Sequence, residues 1–368
     1  MKKNVVIGVD ASRSRSGGGI AHIKGLFSSF DPRKLGIKEI HLWAFKELLD
    51  DVPDLPWLIK HCPNELNKSI LKQLFWQRYR LPKELLKNGC DIVLNTDAGS
   101  ILRFNPSITM SRDMLSYEPG EMQRYGLSKA RLRLELIKIF QNASLTHSTS
   151  AIFLTKYASK VIQKSCGKIK KLKIIPHGVG EDFRSTHDIM KWPIKKEDKI
   201  EILYVSNVAW YKHQWNVVEA VHNLRNKGHN VSLRLVGGGK GKPYKILKEK
   251  IKLFDPKDEF IFDEGFVKHS NLSHFFAKAN LFLFASSCEN MPNTLIEAMS
   301  SGIPIVCSDR GPMPEVLKDG GLYFDPENID SIANSIKIII ENKRIRNKTA
   351  KIAKNLSKNY SWEKCAKE

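Results

Sequence analysis

The chain is 368 residues long, with 60 Lys and Arg against 39 Asp and Glu, a formal net charge of +21. That length suits two ordinary domains, and 42% hydrophobic residues with 23 Gly and 16 Pro exclude a disordered or fibrous chain. No stretch approaches the ~20 apolar residues that cross a bilayer, and the first apolar run ends at Val9, too soon for a signal peptide. Six cysteines without a Cys-x-x-Cys pair argue against zinc modules and a disulfide framework, so a reducing cytoplasm fits.

Short apolar runs alternate with helical patterns from the start. Strands are expected at Asn4–Asp10, Glu39–Ala44, Trp57–His61, Asp91–Asn95, Ile108–Ser111 and Leu145–Ser148, with helices over Gln123–Gln141 and Ser150–Ser165. After the first strand, Asp10 leads through Arg15 to Gly17-Gly18-Gly19. Glycines that open a helix let backbone N–H groups approach an anion, while the helix dipole favours negative charge there. The run matches neither G-x-G-x-x-G nor a Walker loop, and a flexible loop is the ordinary alternative.

Residues 66–80 place Leu66, Ile70, Leu74 and Phe75 on one helical face, with Lys68, Lys72, Arg78 and Arg80 elsewhere and Trp76 and Tyr79 as interface-type aromatics. Residues 129–138 have a similar mix. Such helices either lie on anionic membranes or face a core with a basic side toward water. Residues 1–180 carry 30 basic and 15 acidic side chains, against 30 and 24 in the rest, so the excess sits in the first half. That imbalance favours membrane docking. Lys168–Asp198, Lys-rich with Pro176 and Pro193, reads as a linker.

The second half alternates more cleanly, with strands at Ile200–Ser206, Asn230–Val236, Glu259–Phe262, Leu281–Ala285 and Ile303–Cys307. This implies right-handed βαβ units, parallel sheets and two Rossmann-like α/β domains, whose ligands sit beyond the carboxyl ends of strands. One such end holds Glu289 and, eight residues on, Glu297. The spacing alone is common, but the context is not. Glu289 follows a buried strand, Pro292 suits a first helical turn, and Glu297 falls inside the helix that Gly302-Ile-Pro304 ends. The amides of Asn293, Thr294 and Leu295 then offer a diphosphate site, flanked by carboxylates that accept from sugar hydroxyls. A solvated loop acid and a helix-surface glutamate are the plain alternative.

This segment resembles the Glu-x7-Glu region of retaining glycosyltransferases of family 4. Other pieces follow in order: Ile174–Val179 with His177 resembles the start of the second domain, and Val205–His213 the donor-phosphate loop. Leu235–Gly239, with Gly237 and Gly238, resembles the next glycine loop; Asp309–Val316 and Tyr360-Ser-Trp362 resemble the later loop and closing segment. The match is dense from about residue 170 and loose before it. It implies the α/β GT-B fold, two Rossmann-like domains facing each other across a cleft. Residues 1–175 would bind acceptor, 176–350 would bind the nucleotide sugar, and 351–368 would form a helix crossing back.

The resemblance implies that Glu289 holds hydroxyls of the donor sugar, Glu297 holds the ribose, and Lys212 neutralises the departing diphosphate. Two departures stand out. Family members commonly carry arginine five residues before the lysine, where this chain has Asn207, so Arg15 or Arg112 is expected to supply the missing cation. Arg112-Asp113 also stands where the family often has His-Asp. A guanidinium stays protonated and cannot be a base, which suits a retaining reaction whose acceptor proton leaves with the phosphate. His147 and His177 are the alternatives.

The implied function is sugar transfer with retention from a UDP-sugar, UDP-N-acetylgalactosamine as first choice, to a polyprenyl-diphosphate-linked saccharide. The setting would be O-antigen or capsule-type polysaccharide assembly, by a cytoplasmic protein peripheral on the inner face of the plasma membrane. The family generally needs no catalytic metal, and the chain has no Asp-x-Asp motif to hold one. One rival is an epimerase or phosphorylase of the same fold. The other, a basic nucleic-acid-binding protein, lacks any zinc-finger, RNP-type or helix-turn-helix signature, so no nucleic-acid partner is expected.

Overall fold

The computed structural model describes residues 4–15, 17–184, 192–193 and 198–368; Ser16 and part of the expected Lys168–Asp198 linker lie outside the described residues. The chain divides into Met1–Gly178 with Ser361–Glu368, and Val179–Tyr360. The divisions at 178/179 and 360/361 compare with expected boundaries at 175/176 and 350/351.

The first unit holds β1 (Val5–Asp10), β2 (Ile37–Trp43), β3 (Leu58–His61), β4 (Ile92–Asn95), β5 (Ser107–Ser111), β6 (Ser150–Phe153) and β7 (Leu172–Ile174). All pair in parallel in the order β3-β2-β1-β4-β5-β6-β7. Its helices are α1 (Gly18–Ser29), α2 (Lys46–Asp51), α3 (Ile70–Phe75), α4 (Leu81–Lys87), α5 (Lys129–His147) and α6 (Lys156–Cys166). From β1 to β3 the chain steps one way across the sheet, and from β3 onward the other. Right-handed crossovers therefore put α1 and α2 on one face and α3 to α6 on the other. The cores agree. Ile23, Phe27 and Leu48 pack on Leu42, whereas Trp76, Leu81 and Leu85 pack with its neighbour Trp43, whose side chain alternates to the opposite face.

The second unit holds β8 (Ile200–Val205), β9 (Val231–Val236), β10 (Ile261–Asp263), β11 (Leu281–Phe284), β12 (Ile305–Ser308) and β13 (Leu322–Phe324). They form a parallel sheet in the order β10-β9-β8-β11-β12-β13. Around it lie α7 (Gln214–Asn226), α8 (Gly241–Phe254), α9 (Leu272–Lys278), α10 (Asn293–Ser301), α11 (Met313–Leu317), α12 (Ile329–Glu341) and α13 (Lys343–Ser357). Strand order reverses between β1 and β4 in one sheet and between β8 and β11 in the other, which is where such sheets bind ligands. The last helix, α14 (Trp362–Lys367), belongs to the first unit. Its Trp362 fills notches at Gly25 and Gly178, where an added Cβ would stand 2.2 Å from tryptophan atoms.

Two expected elements are corrected. Residues 145–148 are not a strand: α5 continues to His147, because Leu134, Gln141 and Leu145 recur at helical spacing on its buried face. The strand begins at Ser150, and α6 starts only at Lys156, where the Thr155 hydroxyl accepts from the Ala158 amide at 3.1 Å. The single helix expected over 66–80 is also broken, into a short turn at Asn64–Asn67, α3, and a π-helical turn at Trp76–Arg80.

Candidate active site

The candidate site of the second unit gathers beyond the carboxyl ends of β8, β9 and β11. All four residues of β11 are buried and apolar, so polar side chains appear only once the strand ends. Across from it, the loop after β8 runs into a short helical turn, Trp210–Lys212. The Ser287 amide donates to the Tyr211 carbonyl at 2.8 Å, and His213 Nε2 bonds the Ser287 hydroxyl at 2.9 Å. From below, the fully buried Tyr204 hydroxyl donates to the Lys212 carbonyl at 2.5 Å. Burial, and then the charge of Glu289, push the Tyr204 phenol well above its ordinary pKa, so it stays a donor. The backbone is fixed before any ligand arrives.

Lys212 is 7% exposed. Its ammonium forms an ion pair with Glu289 and lies 5.2 Å from the Phe284 ring centroid and 5.1 Å from that of Tyr211. A buried lysine is costly unless paired, and Glu289 neutralises it. Glu297 sits on α10, 5% exposed. His269 Nε2 lies 2.8 Å from its Oε1, while its Oε2 is buried without a hydrogen-bond partner. Burial raises the Glu297 carboxyl above its usual range, and the His269 hydrogen bond opposes that. One oxygen held and one unfilled makes an oriented acceptor for ligand hydroxyls.

Asn293 and Thr294 stand half-buried at the start of α10. The Leu295 amide instead turns back onto the Pro292 carbonyl at 3.1 Å, which removes it from the expected set of anion donors. Gly237 has φ 137, and an added Cβ would stand 2.3 Å from the Ser206 carbonyl oxygen. The Gly238 carbonyl accepts from the Val208 amide at 2.7 Å. These glycines let the loop after β9 press against the loop after β8. Asn207 is exposed on that loop, its carbonyl accepting from Gln214 Nε2 at 3.0 Å.

Sequence reading missed His269, which no local pattern marks because it meets Glu297 across 28 residues. It also missed Lys242, whose ammonium lies 5.8 Å from the Trp210 ring centroid, beside the loop where Asn207 brings no charge.

In the first unit, Asp10 at the end of β1 is filled by its own chain. It accepts from the Ser12 amide (3.1 Å) and hydroxyl (2.6 Å), Gln77 Nε2 (2.7 Å) and the Ser100 hydroxyl (3.1 Å). Arg112, after β5, donates to the Ser14 hydroxyl at 3.3 Å and lies 3.8 Å from Asp97. Its Nε and Nη1 are buried without a hydrogen-bond partner. An added Cβ at Gly19 would stand 2.7 Å from the guanidinium, so Gly19 makes room for it, while Gly17 (φ 57) and Gly18 open α1. Arg15 is engaged elsewhere, stacked 3.8 Å over Phe45 and donating to the Leu66 carbonyl at 3.0 Å. His147 lies at the end of α5, 2.6 Å from the Ala143 carbonyl. His177 packs 4.5 Å from the His22 ring, against Trp362. Lys68 and Lys72 are exposed, as are Arg78 in part and Arg80, whose charge Glu65 takes up.

The architecture defines a GT-B glycosyltransferase fold. Sucrose-phosphate synthase of Thermosynechococcus elongatus superposes with a TM-score of 0.74 at 17% identity, covering 99% of this chain and 96% of that one. Anabaena HepE, solved with UDP-glucose, gives 0.72 at 16% identity over 99% and 98%. Residues 186–356 match the family model described as Glycosyl transferases group 1. O-antigen chain mannosyltransferase B of Escherichia coli is 34% identical over 101 residues, 27% of this chain and 26% of that protein. The curated relatives are matched over 26–55% of their own lengths.

Proposed function

We propose that the protein transfers a sugar from a UDP-sugar, with retention, to a polyprenyl-diphosphate-linked saccharide during surface-polysaccharide synthesis. The observation that carries this is Glu297: buried, held on one oxygen by His269, and unfilled on the other. That geometry suits the paired hydroxyls of a ribose. On the same strand-to-helix connection, Glu289 would accept from sugar hydroxyls, and Lys212 would gain the diphosphate as its counter-charge.

As the glycosidic C–O bond breaks, its electron pair leaves with UDP, whose growing charge Lys212 stabilises. The acceptor hydroxyl forms the new bond on the same face of the sugar, and its proton passes to the departing phosphate oxygen. No metal enters this scheme. Arg112 offers a cation of the first unit to an anionic group. The HepE complex with UDP-glucose and the name of the E. coli relative support the donor class and the setting. UDP-N-acetylgalactosamine is the first donor to try, with the protein placed at the cytoplasmic membrane face. Among the described residues no helix is long and apolar enough to cross a membrane.

The test is incubation with a panel of UDP- and GDP-sugars and a polyprenyl-diphosphate saccharide, with and without EDTA. Product mass and anomeric configuration are the readouts. Retained configuration and EDTA-insensitive turnover are expected; an inverted product or a divalent-metal requirement would refute the scheme.

A further inference from the structure

We propose that the first unit seats on an anionic bilayer by inserting apolar side chains from two helices on one face of its sheet. It rests on the membrane setting proposed above, and it names the surface and how it binds. In residues 68–87 the π-helical turn holds one residue more than an α-helical turn, and Trp76 and Gln77 both point inward. Leu71, Phe75 and Tyr79, at intervals of four, are turned out and stand 75%, 56% and 56% exposed. The helical face expected to be apolar is thus split: Leu66 is buried, Ile70 and Phe75 are not.

Helix α5 repeats the feature. Leu132, Leu136, Ile139 and Phe140 form an i, i+4, i+7, i+8 stripe, all exposed, while Leu134 and Leu145 face the sheet. A helix of a globular domain ordinarily buries such a stripe. The crossovers β3 to β4 and β5 to β6 step the same way across the sheet, so right-handedness puts both exposed stripes on the same side.

The surrounding charge selects the occupant. Lys68, Lys72, Lys83 and Lys87 flank the first stripe, and Arg131 and Arg133 the second, without an ion pair among the described residues. Near the first stripe the acids are already engaged: Glu65 pairs with Arg80, and Glu84 accepts from the indoles of Trp43 (2.8 Å) and Trp76 (2.9 Å); beside the second, Glu135 is outnumbered by Arg131, Arg133 and Lys138. A second copy would bring the same cations face to face, whereas anionic headgroups complement them and the apolar tips enter the headgroup boundary.

The experiment is cosedimentation of the full chain with vesicles of phosphatidylcholine alone or mixed with phosphatidylglycerol. Wild type is expected to bind the mixed vesicles and to be only partly released by salt. Leu71→Ser with Phe75→Ser, and separately Leu136→Ser with Ile139→Ser, should each lower partitioning about tenfold. Both should keep the wild-type circular dichroism and UDP-induced thermal shift. Unchanged sedimentation of both double variants overturns the proposal. So does a wild-type dimer, dispersed by these substitutions and indifferent to vesicles, which would give the stripes to a second copy. Loss of vesicle binding with the UDP shift intact leaves the donor reading standing; vesicle binding without a UDP shift would count against that reading instead.

Discussion

Two acids near the carboxyl ends of the two sheets stand in opposite hydrogen-bonding states. Asp10 accepts four hydrogen bonds from its own chain and is closed to any ligand. Glu297, on the helix that follows β11 in the other unit, is held on one oxygen and has no hydrogen-bond partner on the other. Position beyond a strand end therefore does not decide the role of a carboxylate. What decides it is whether the loops around it supply donors.

The sharpest way to break this contrast is at the reacting groups. Lys212→Ala and Glu289→Ala should each lower turnover by about 10²–10³-fold, Glu289→Ala with UDP affinity nearly kept and Lys212→Ala with UDP weakened less than the rate, read by steady-state kinetics and calorimetry. If Glu289→Ala weakens UDP as much as Glu297→Ala does, the proposed division of labour is wrong. Asp10→Ala should act differently, costing about 3 kcal/mol of stability in denaturant melts, because Gln77, Ser12 and Ser100 lose a shared acceptor.

Glu297→Ala should weaken UDP by about 2 kcal/mol, and His269→Ala by roughly half of that. A pH series refines the point. The folded pKa of Glu297 is raised, so acidification protonates it sooner than an ordinary glutamate. UDP affinity should fall as pH drops toward the carboxylate range from above, and Glu297→Gln should flatten that dependence.

The smallest effect concerns His22, whose pKa burial lowers well below 6.5, with the neighbouring His177 next in effect. The folded state stays unprotonated where the unfolded chain takes up a proton. Stability should thus decline as pH falls below about 6.5, by at most 1.4 kcal/mol per unit for one proton. His22→Phe should reduce the slope in pH-dependent melts.

Much of the second unit could be read from its sequence, because apolar runs such as Leu281–Phe284 and punctuation such as Gly302 and Pro304 coincide with real strand and helix ends. The short edge strands β7 and β13, mostly half-buried or exposed, lack the apolar run that marks the inner strands. The candidate site was legible where it is local, from Glu289 to Glu297, and hidden where it depends on tertiary contact. His269 reaches Glu297 across 28 residues and Gln77 reaches Asp10 across 67, distances over which no spacing rule operates. The π turn was missed for a similar reason: packing of Trp76, rather than local propensity, sets the register there.

The placement of Ser361–Glu368 in the first unit has a consequence for synthesis. The slot that Trp362 occupies beside Gly25 and Gly178 is lined by residues made well before its occupant, which follows more than 180 residues later. At 5–20 residues per second, roughly 10–40 s separate Gly178 from Ser361 on the ribosome. Throughout that interval the first unit waits with an unfilled, partly apolar notch, and its folding closes only after Trp362 has emerged.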